Sequence, residues 1–196
     1  MLVHISGKEH RSVFPVVFQQ QVPDKLQRYF PKDSIRTLAN EAEERYIKQW
    51  AFEILFSFHE PVLYQYSGNL EVLRLTILIS FGYAVVIRVN KITNTIFMSI
   101  KEFDKLHNRL NLDTTVQVSE AQWESIRSEL DKTNFWTTVT SDTSETGKDG
   151  ISYFLEAYIG KYYFISRWDG GRMYSGALTL HAKTLKEISK KIIFGC

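Results

Sequence analysis

Four side chains in the last quarter of the chain belong to the types that perform acid–base catalysis or bind divalent cations. They are Asp149, Glu156, Asp169 and His181. Asp149 and Asp169 flank opposite ends of one predicted hairpin, and paired carboxylates suit proton transfer or cation binding. A turn-forming role also explains both aspartates, because each is followed by glycine. A hydrolase or nucleotide-handling enzyme built on these four residues is therefore kept as an alternative, and no catalytic residue is assigned.

Histidine and cysteine spacing does not predict a metal site. The five histidines stand at positions 4, 10, 59, 107 and 181, so no two of them share a helical turn, and the only cysteine is Cys196. Gly160-Lys161 departs from a phosphate-binding loop, because Tyr162 follows the lysine where Ser or Thr is needed. We expect neither a metal nor a cofactor.

Charge and composition narrow the classes of partner. The chain has 24 Lys plus Arg against 22 Asp plus Glu, a formal charge of +2, which disfavours nucleic acid and leaves it as a second alternative. One cysteine cannot form an intrachain disulfide, and the amino terminus lacks the pattern of a secretory signal. The longest apolar stretch, residues 72–89, contains Arg74 and Gly82. We therefore expect a cytoplasmic protein without a membrane segment.

The amino-terminal part is predicted to be an arm followed by a helix. Residues 1–32 hold three of the four prolines, which disfavours a central strand, so we expect an extended arm or an edge strand. Asp33-Ser34 then precedes apolar residues spaced by three or four, which indicates a long amphipathic helix ending before His59-Glu60-Pro61. Residues 33–196 are expected to form a single α+β domain.

Alternating apolar residues predict an antiparallel sheet of five or six strands. Three strands are expected between residues 70 and 101, a short fourth over 112–118, and a final hairpin around Gly160. Two further amphipathic helices are predicted to pack on one face of this sheet. One begins with the capping box of Ser119 to Gln122, and the other follows an apolar stripe over 174–192.

The last hairpin and two charged segments form the candidate partner-binding surface. Alternation leaves Phe154 and Tyr158 on the side opposite Tyr153, and we expect them to be exposed, whereas Phe135, Trp136 and Trp168 are expected to be buried anchors. An aromatic patch without interleaved basic residues favours a protein partner. The candidate partner-binding residues are Phe154, Tyr158, Asp142, Glu145, Lys183, Lys186 and Lys190.

A series of short motifs runs through residues 70–192. These motifs are Phe135-Trp136, Asp149-Gly150, Glu156, Gly160-Lys161-Tyr162 and Arg167-Trp168. The series resembles a diffuse group of uncharacterised bacterial α+β proteins, although the last helix lacks the cysteine typical of them. The group has no established catalytic residues, so none is transferred. Small proteins of this kind resemble immunity or antitoxin-type proteins, which implies a non-enzymatic module that binds and neutralises a partner toxin. A homo-oligomer is left open.

Overall fold

Two α-helices and seven strands have defined bounds in the described part of the chain. The computed structural model describes residues 29–30, 41–79, 82–104, 107, 109–132, 135–136, 141–142, 150–170, 186–187 and 191. The helices are α1 (Glu41–Ser57) and α2 (Glu120–Asp131), and a 3-10 turn spans Leu63–Gln65. The strands are β1 (Leu70–Ile79), β2 (Tyr83–Ile92), β3 (Thr95–Asp104), β4 (Arg109–Gln117), β5 (Ser141–Asp142), β6 (Ile151–Ile159) and β7 (Tyr162–Gly170).

All the strands belong to one sheet, in the order β4-β3-β2-β1-β6-β7-β5. Six strands pair antiparallel, and the two-residue β5 adds a short parallel contact to β7. The β6–β7 turn has positive φ at both Gly160 (56°) and Lys161 (75°), the geometry whose twist matches the flanking strands. The predicted α+β class and antiparallel sheet are confirmed, and the predicted fourth strand is longer than expected.

Helix α2 covers one face of the sheet, which we call the α2 face. Its capping box forms as predicted, since Ser119 Oγ accepts from the Gln122 amide at 3.3 Å and Gln122 Oε1 accepts from the Ser119 amide at 2.8 Å. The buried side of the helix packs on odd-numbered β1 residues such as Leu75. Phe135 is buried in the same cluster, as predicted, while Trp136 is half-buried and the Trp168 side chain lies outside the described residues. This face is apolar throughout its core.

Helix α1 covers the opposite face, which we call the α1 face. Ile54 and Leu55 pack there on Leu78, Val86 and Phe154. The described part of α1 begins at Glu41, so a helix starting at Asp33-Ser34 is not supported by the described residues. The predicted amino-terminal arm lies outside them apart from Tyr29 and Phe30, both buried. Both faces of the sheet are therefore covered.

The predicted carboxy-terminal helix is described at only three positions. Residues 186, 187 and 191 are helical, and the rest of that helix lies outside the described residues, as does its packing on the sheet. No helix within the described ranges is long and apolar enough to cross a membrane.

Candidate functional site

One row of side chains on the α1 face is polar across the middle of the sheet. The register places Glu156 of β6 opposite Arg74 of β1, Arg74 opposite Arg88 of β2, and Arg88 opposite Ser99 of β3. Two arginines directly opposite each other repel, so a stable sheet needs negative charge between them. The row therefore requires counter-ions from within the fold.

Glu156 supplies the first counter-ion, to Arg74. The Arg74 guanidinium donates from Nε to Glu156 Oε2 at 2.7 Å and from Nη2 to Glu156 Oε1 at 2.8 Å, and both side chains are fully buried. Tyr163 Oη donates to Glu156 Oε1 at 2.9 Å, and Arg74 Nη1 donates to the Pro61 carbonyl at 2.6 Å. This planar, two-bond pairing fixes both partners in one geometry.

Glu60 supplies the second counter-ion from the segment that follows α1. Its Oε2 lies 2.7 Å from Arg88 Nε and 3.8 Å from Arg74 Nη1, and its Oε1 lies 3.1 Å from Lys101 Nζ. The end of α1 positions it, because His59 has a φ of 53° and the Glu60 amide donates back to the Leu55 carbonyl at 2.9 Å. The helix terminus thus turns the chain so that Glu60 enters the sheet face between the two arginines.

These five residues form what we call the ion cluster: Glu60, Arg74, Arg88, Lys101 and Glu156. Three cations face two carboxylates, so the net charge of the cluster is +1. The Arg88 and Lys101 side chains keep 15% and 14% of their surface exposed, whereas the other three have none. The excess charge can therefore reach water through Arg88 and Lys101, which limits its cost.

Burial and charge shift the two carboxylates in opposite directions. Burial raises the pKa of Glu60, but the three surrounding cations more than offset it and hold that pKa below its ordinary value. Burial also raises the pKa of Glu156, and there it outweighs the lowering by Arg74 and by the hydrogen bonds. The two-bond pairing with Arg74 is the geometry of an ionised carboxylate, so Glu156 is charged in this structure but takes up a proton more readily than an exposed glutamate.

Buried hydroxyls surround the ion cluster. Within the described residues the side-chain oxygens of Tyr29, Tyr66 and Thr76 have no hydrogen-bond partner. Burial raises the pKa of Tyr29 and of Tyr66 to about 12, so both phenols are neutral at pH 7. Neither phenol adds a charge to the ion cluster, so the charges of its five residues compensate one another.

The expectation that Phe154 and Tyr158 are exposed is wrong. Phe154 is 0% exposed and Tyr158 is 4% exposed. Phe30 stacks on Phe154 with ring centroids 5.1 Å apart, and Tyr66 meets Tyr158 edge-on at 5.8 Å. Alternation assigned both residues to the correct side of β6, but α1 and the segment after it cover that side as well. Neither side chain presents a surface to a partner in this structure.

The other candidate partner-binding residues are described only in part. Lys186 is helical and partly exposed, and Asp142 lies in β5, where its side chain is not described. Glu145, Lys183 and Lys190 lie outside the described residues. Their roles in binding stay predictions.

The four residues of the enzyme alternative are not brought together in the described part of the chain. The backbone of Asp169 pairs with Ser152, four positions along β6 from Glu156, which corresponds to about 13 Å along a strand. Asp149 and His181 lie outside the described residues. Glu156, the described carboxylate of the set, is held by Arg74 and Tyr163.

Sequence reasoning missed the ion cluster, although one signal for it was present. Arg74 and Arg88 each lie in an apolar stretch, and the residues directly before and after each arginine are apolar. A charge in a strand that is covered on both faces needs a buried partner. The identity of the partners could not be read from the sequence, because Glu156 is 82 residues from Arg74.

The turn of the β6–β7 hairpin carries an exposed aromatic residue that the sequence prediction also missed. Tyr162 is 70% exposed, and the other large apolar side chain exposed among the described residues is Leu110, at 47%. Tyr162 opens β7 and pairs with Ile159 at one end of the sheet, while Leu110 pairs with Phe103 near the other end. We call Gly160, Lys161 and Tyr162 the hairpin tip.

Comparisons with protein-family models and with curated protein sequences find no match to this chain. The likeness seen in residues 70–192 consequently rests on the short motifs alone. One of those motifs has a structural explanation, since Glu156 is the buried partner of Arg74.

Proposed function

We propose that this protein is a non-enzymatic protein-binding module that contacts its partner through the hairpin tip. The observation that carries the proposal is the 70% exposure of Tyr162. Tyrosine is enriched among the residues that dominate protein–protein binding energy, because it combines a large apolar surface with a hydroxyl that hydrogen-bonds. Lys161 beside it adds a positive charge that suits an acidic rim on the partner.

The strands behind the hairpin tip hold it in place. Tyr163 anchors β7 on the α1 face through its hydrogen bond to Glu156. Phe164 anchors the same strand on the α2 face, where its ring meets Trp136 edge-on at 5.1 Å. A surface fixed in advance loses little conformational entropy on binding, which favours affinity.

The ion cluster supports a binding role over an enzymatic one. A general acid or base must reach its substrate, yet Glu60 and Glu156 are fully buried and directed at internal cations. These carboxylates stabilise the docking of α1 and its following segment on the sheet.

The type of partner comes from the motif resemblance. Because the chain resembles bacterial immunity and antitoxin-type proteins, we propose that the partner is a toxin domain and that binding neutralises it. We also propose a cytoplasmic location, which suits the inhibition of a toxin inside the producing cell and the low cysteine content.

Site-specific photo-crosslinking tests this proposal. A photoreactive phenylalanine analogue is placed at position 162 in the native cell, and a matched control carries it at position 110, the exposed apolar site near the other end of the sheet. We expect a discrete protein adduct at position 162 that is absent at position 110. Mass spectrometry of the adduct identifies the partner, and a toxin domain would establish the proposed type.

Three outcomes would contradict the proposal. The first is no adduct at position 162 although the variant is folded and expressed. The second is the same adduct at both positions, which indicates non-specific contact. The third is an adduct that disappears on nuclease digestion, which identifies nucleic acid as the partner.

A further inference from the structure

Strand β4 is the outermost strand on the side of the sheet away from the hairpin tip. No described residue pairs with its outer edge. Its pairing with β3 is regular from Phe97 opposite Gln117 to Glu102 opposite Leu112, and a bulge then shifts the register. Among the described residues this edge is unpaired over six regular positions, and it offers a row of backbone donors and acceptors to another strand.

The inner hydrogen bonds of β4 identify which of its backbone groups face outward. The Val118 amide donates to the Ile96 carbonyl at 2.9 Å, just beyond the pair Phe97–Gln117. In an antiparallel ladder the direction of these groups alternates, so the even-numbered residues of regular β4 bond to β3. The outward backbone groups therefore belong to Asp113, Thr115 and Gln117.

We infer that β4 pairs antiparallel with β4 of a second copy of this chain, with Thr114 on the two-fold axis. In this register Asp113 lies opposite Thr115 of the other copy, and the outward backbone groups of these two residues form hydrogen bonds in both directions. Leu112 lies opposite Val116 of the other copy. The inference goes beyond the proposed function, since it concerns the opposite edge of the sheet.

Side-chain chemistry selects this register from its neighbours. Leu112 and Val116 are both half-buried against the core of the α2 face, so their pairing across the axis extends that core from one copy to the next. A register with Asp113 on the axis would place two carboxylates opposite each other. A register with Thr115 on the axis would pair Asp113 with Gln117 and polar Thr114 with apolar Val116. Of these three registers, the one with Thr114 on the axis pairs apolar with apolar and polar with polar side chains and avoids charge repulsion.

The dimer leaves the proposed binding surface free. Four strands, β3, β2, β1 and β6, separate β4 from β7, whose first residue is Tyr162. Two hairpin tips related by the two-fold axis would then lie at opposite ends of one continuous sheet. Such an arrangement binds two partners at once, or one partner that is itself two-fold symmetric.

Mass measurement and disulfide trapping test the dimer and its register. Light scattering of the purified full chain should give twice the monomer mass of 22.9 kDa at micromolar concentration. In a Cys196→Ser background, oxidation of Thr114→Cys should yield a covalent dimer, because residues on the axis bring their Cα atoms within disulfide range. Leu112→Cys is the matched control and should form no covalent dimer under oxidation, since its copies lie about four residues apart along the strand.

A proline substitution provides an independent test of the dimer. Thr115→Pro removes an outward N–H that β3 does not use, so the variant should keep its circular dichroism spectrum and become monomeric, while Thr115→Val stays dimeric. A monomeric wild-type protein, a covalent dimer from Leu112→Cys but not from Thr114→Cys, or a Thr115→Pro variant that stays dimeric would each overturn the inference. None of these results bears on crosslinking at Tyr162, so the two proposals fail separately.

Discussion

The two faces of this sheet are built from the same strands but bury different kinds of side chain in the middle of β1. Along β1, Leu73, Leu75 and Ile77 point to the α2 face and pack in its apolar core. Arg74 lies between them in sequence and points to the α1 face, where it is equally buried and is held by Glu156 and Glu60. The side chains of β1 are equally buried on both faces, but we expect substitutions to be tolerated better on the α2 face than at Arg74.

The difference lies in the free energy of each kind of contact. Burying an apolar side chain stabilises the fold by about 1.5 to 3 kcal/mol, and another side chain of similar volume does nearly the same. A buried ion pair is close to neutral compared with an apolar pair, but losing one partner leaves an uncompensated charge. The α1 face therefore depends on particular partners, and it determines where α1 and its following segment dock.

The largest expected effect comes from removing the partner of Arg74. Glu156→Leu should lower the free energy of unfolding by about 3 to 5 kcal/mol, because a fully buried guanidinium then loses its two-bond carboxylate partner and keeps only the 3.8 Å contact with Glu60. Urea unfolding followed by tryptophan fluorescence measures the change. A loss below about 1 kcal/mol would mean that Arg74 reaches water in solution.

A smaller effect is expected at Glu60, with a characteristic dependence on pH. Glu60→Gln should cost about 1.5 to 3 kcal/mol at pH 7, less than Glu156→Leu, because Arg88 and Lys101 are partly exposed. The folded pKa of Glu60 lies below its unfolded value of about 4.3. Its stabilising contribution is thus complete above pH 4.3 and disappears as the pH falls through the folded pKa.

Urea unfolding of the wild type and of Glu60→Gln from pH 7 to pH 3 checks this prediction. The difference between the two should shrink as the pH falls below 4.3. Glu156 acts in the opposite sense, since its raised pKa makes the folded state bind a proton more readily and lowers stability as the pH rises through the interval between the two pKa values. It is present in both proteins, and because Glu60 is the smallest of the causes that act on the pKa of Glu156, most of this contribution cancels. If the difference in free energy of unfolding between the two proteins grew at low pH, the lowered pKa of Glu60 would be contradicted.

The smallest effect is expected on the α2 face. Met98→Leu changes one fully buried apolar side chain for another of similar volume and should cost less than about 1.5 kcal/mol. Thermal unfolding monitored by circular dichroism measures it. A loss as large as that of Glu156→Leu would remove the contrast between the two faces.

The sequence predicted local structure better than long-range contacts. The capping box of Ser119 and Gln122 and the turn at Gly160 depend on residues a few positions apart, and both form as expected. The exposure of Phe154 was mispredicted because alternation tells which side of a strand a residue occupies, not whether another element covers that side. Arg74 interrupts an apolar stretch, yet its pairing with Glu156 depends on the register between β1 and β6. That register is set by packing of the whole sheet.

The hairpin tip illustrates the same limit at the surface. Tyr162 and Tyr163 are adjacent aromatic residues of one strand and look alike in sequence. Tyr163 is hydrogen-bonded to Glu156 on the α1 face, whereas Tyr162 is exposed on the other side, beyond the reach of α2. Which tyrosine is available to a partner depends on where the covering elements end.

A double-mutant cycle on Arg74 and Glu156 tests most directly the central claim that the ion cluster serves the fold. Arg74→Met and Glu156→Leu should each cost about 3 to 5 kcal/mol in urea unfolding. The double variant should return to within about 1 to 3 kcal/mol of the wild type, because apolar groups replace both charges of the pair. The remaining loss comes from the Pro61 carbonyl, the Tyr163 hydroxyl and Glu60, which each lose one contact but keep their other surroundings. A double variant as unstable as the two single changes combined would contradict the account.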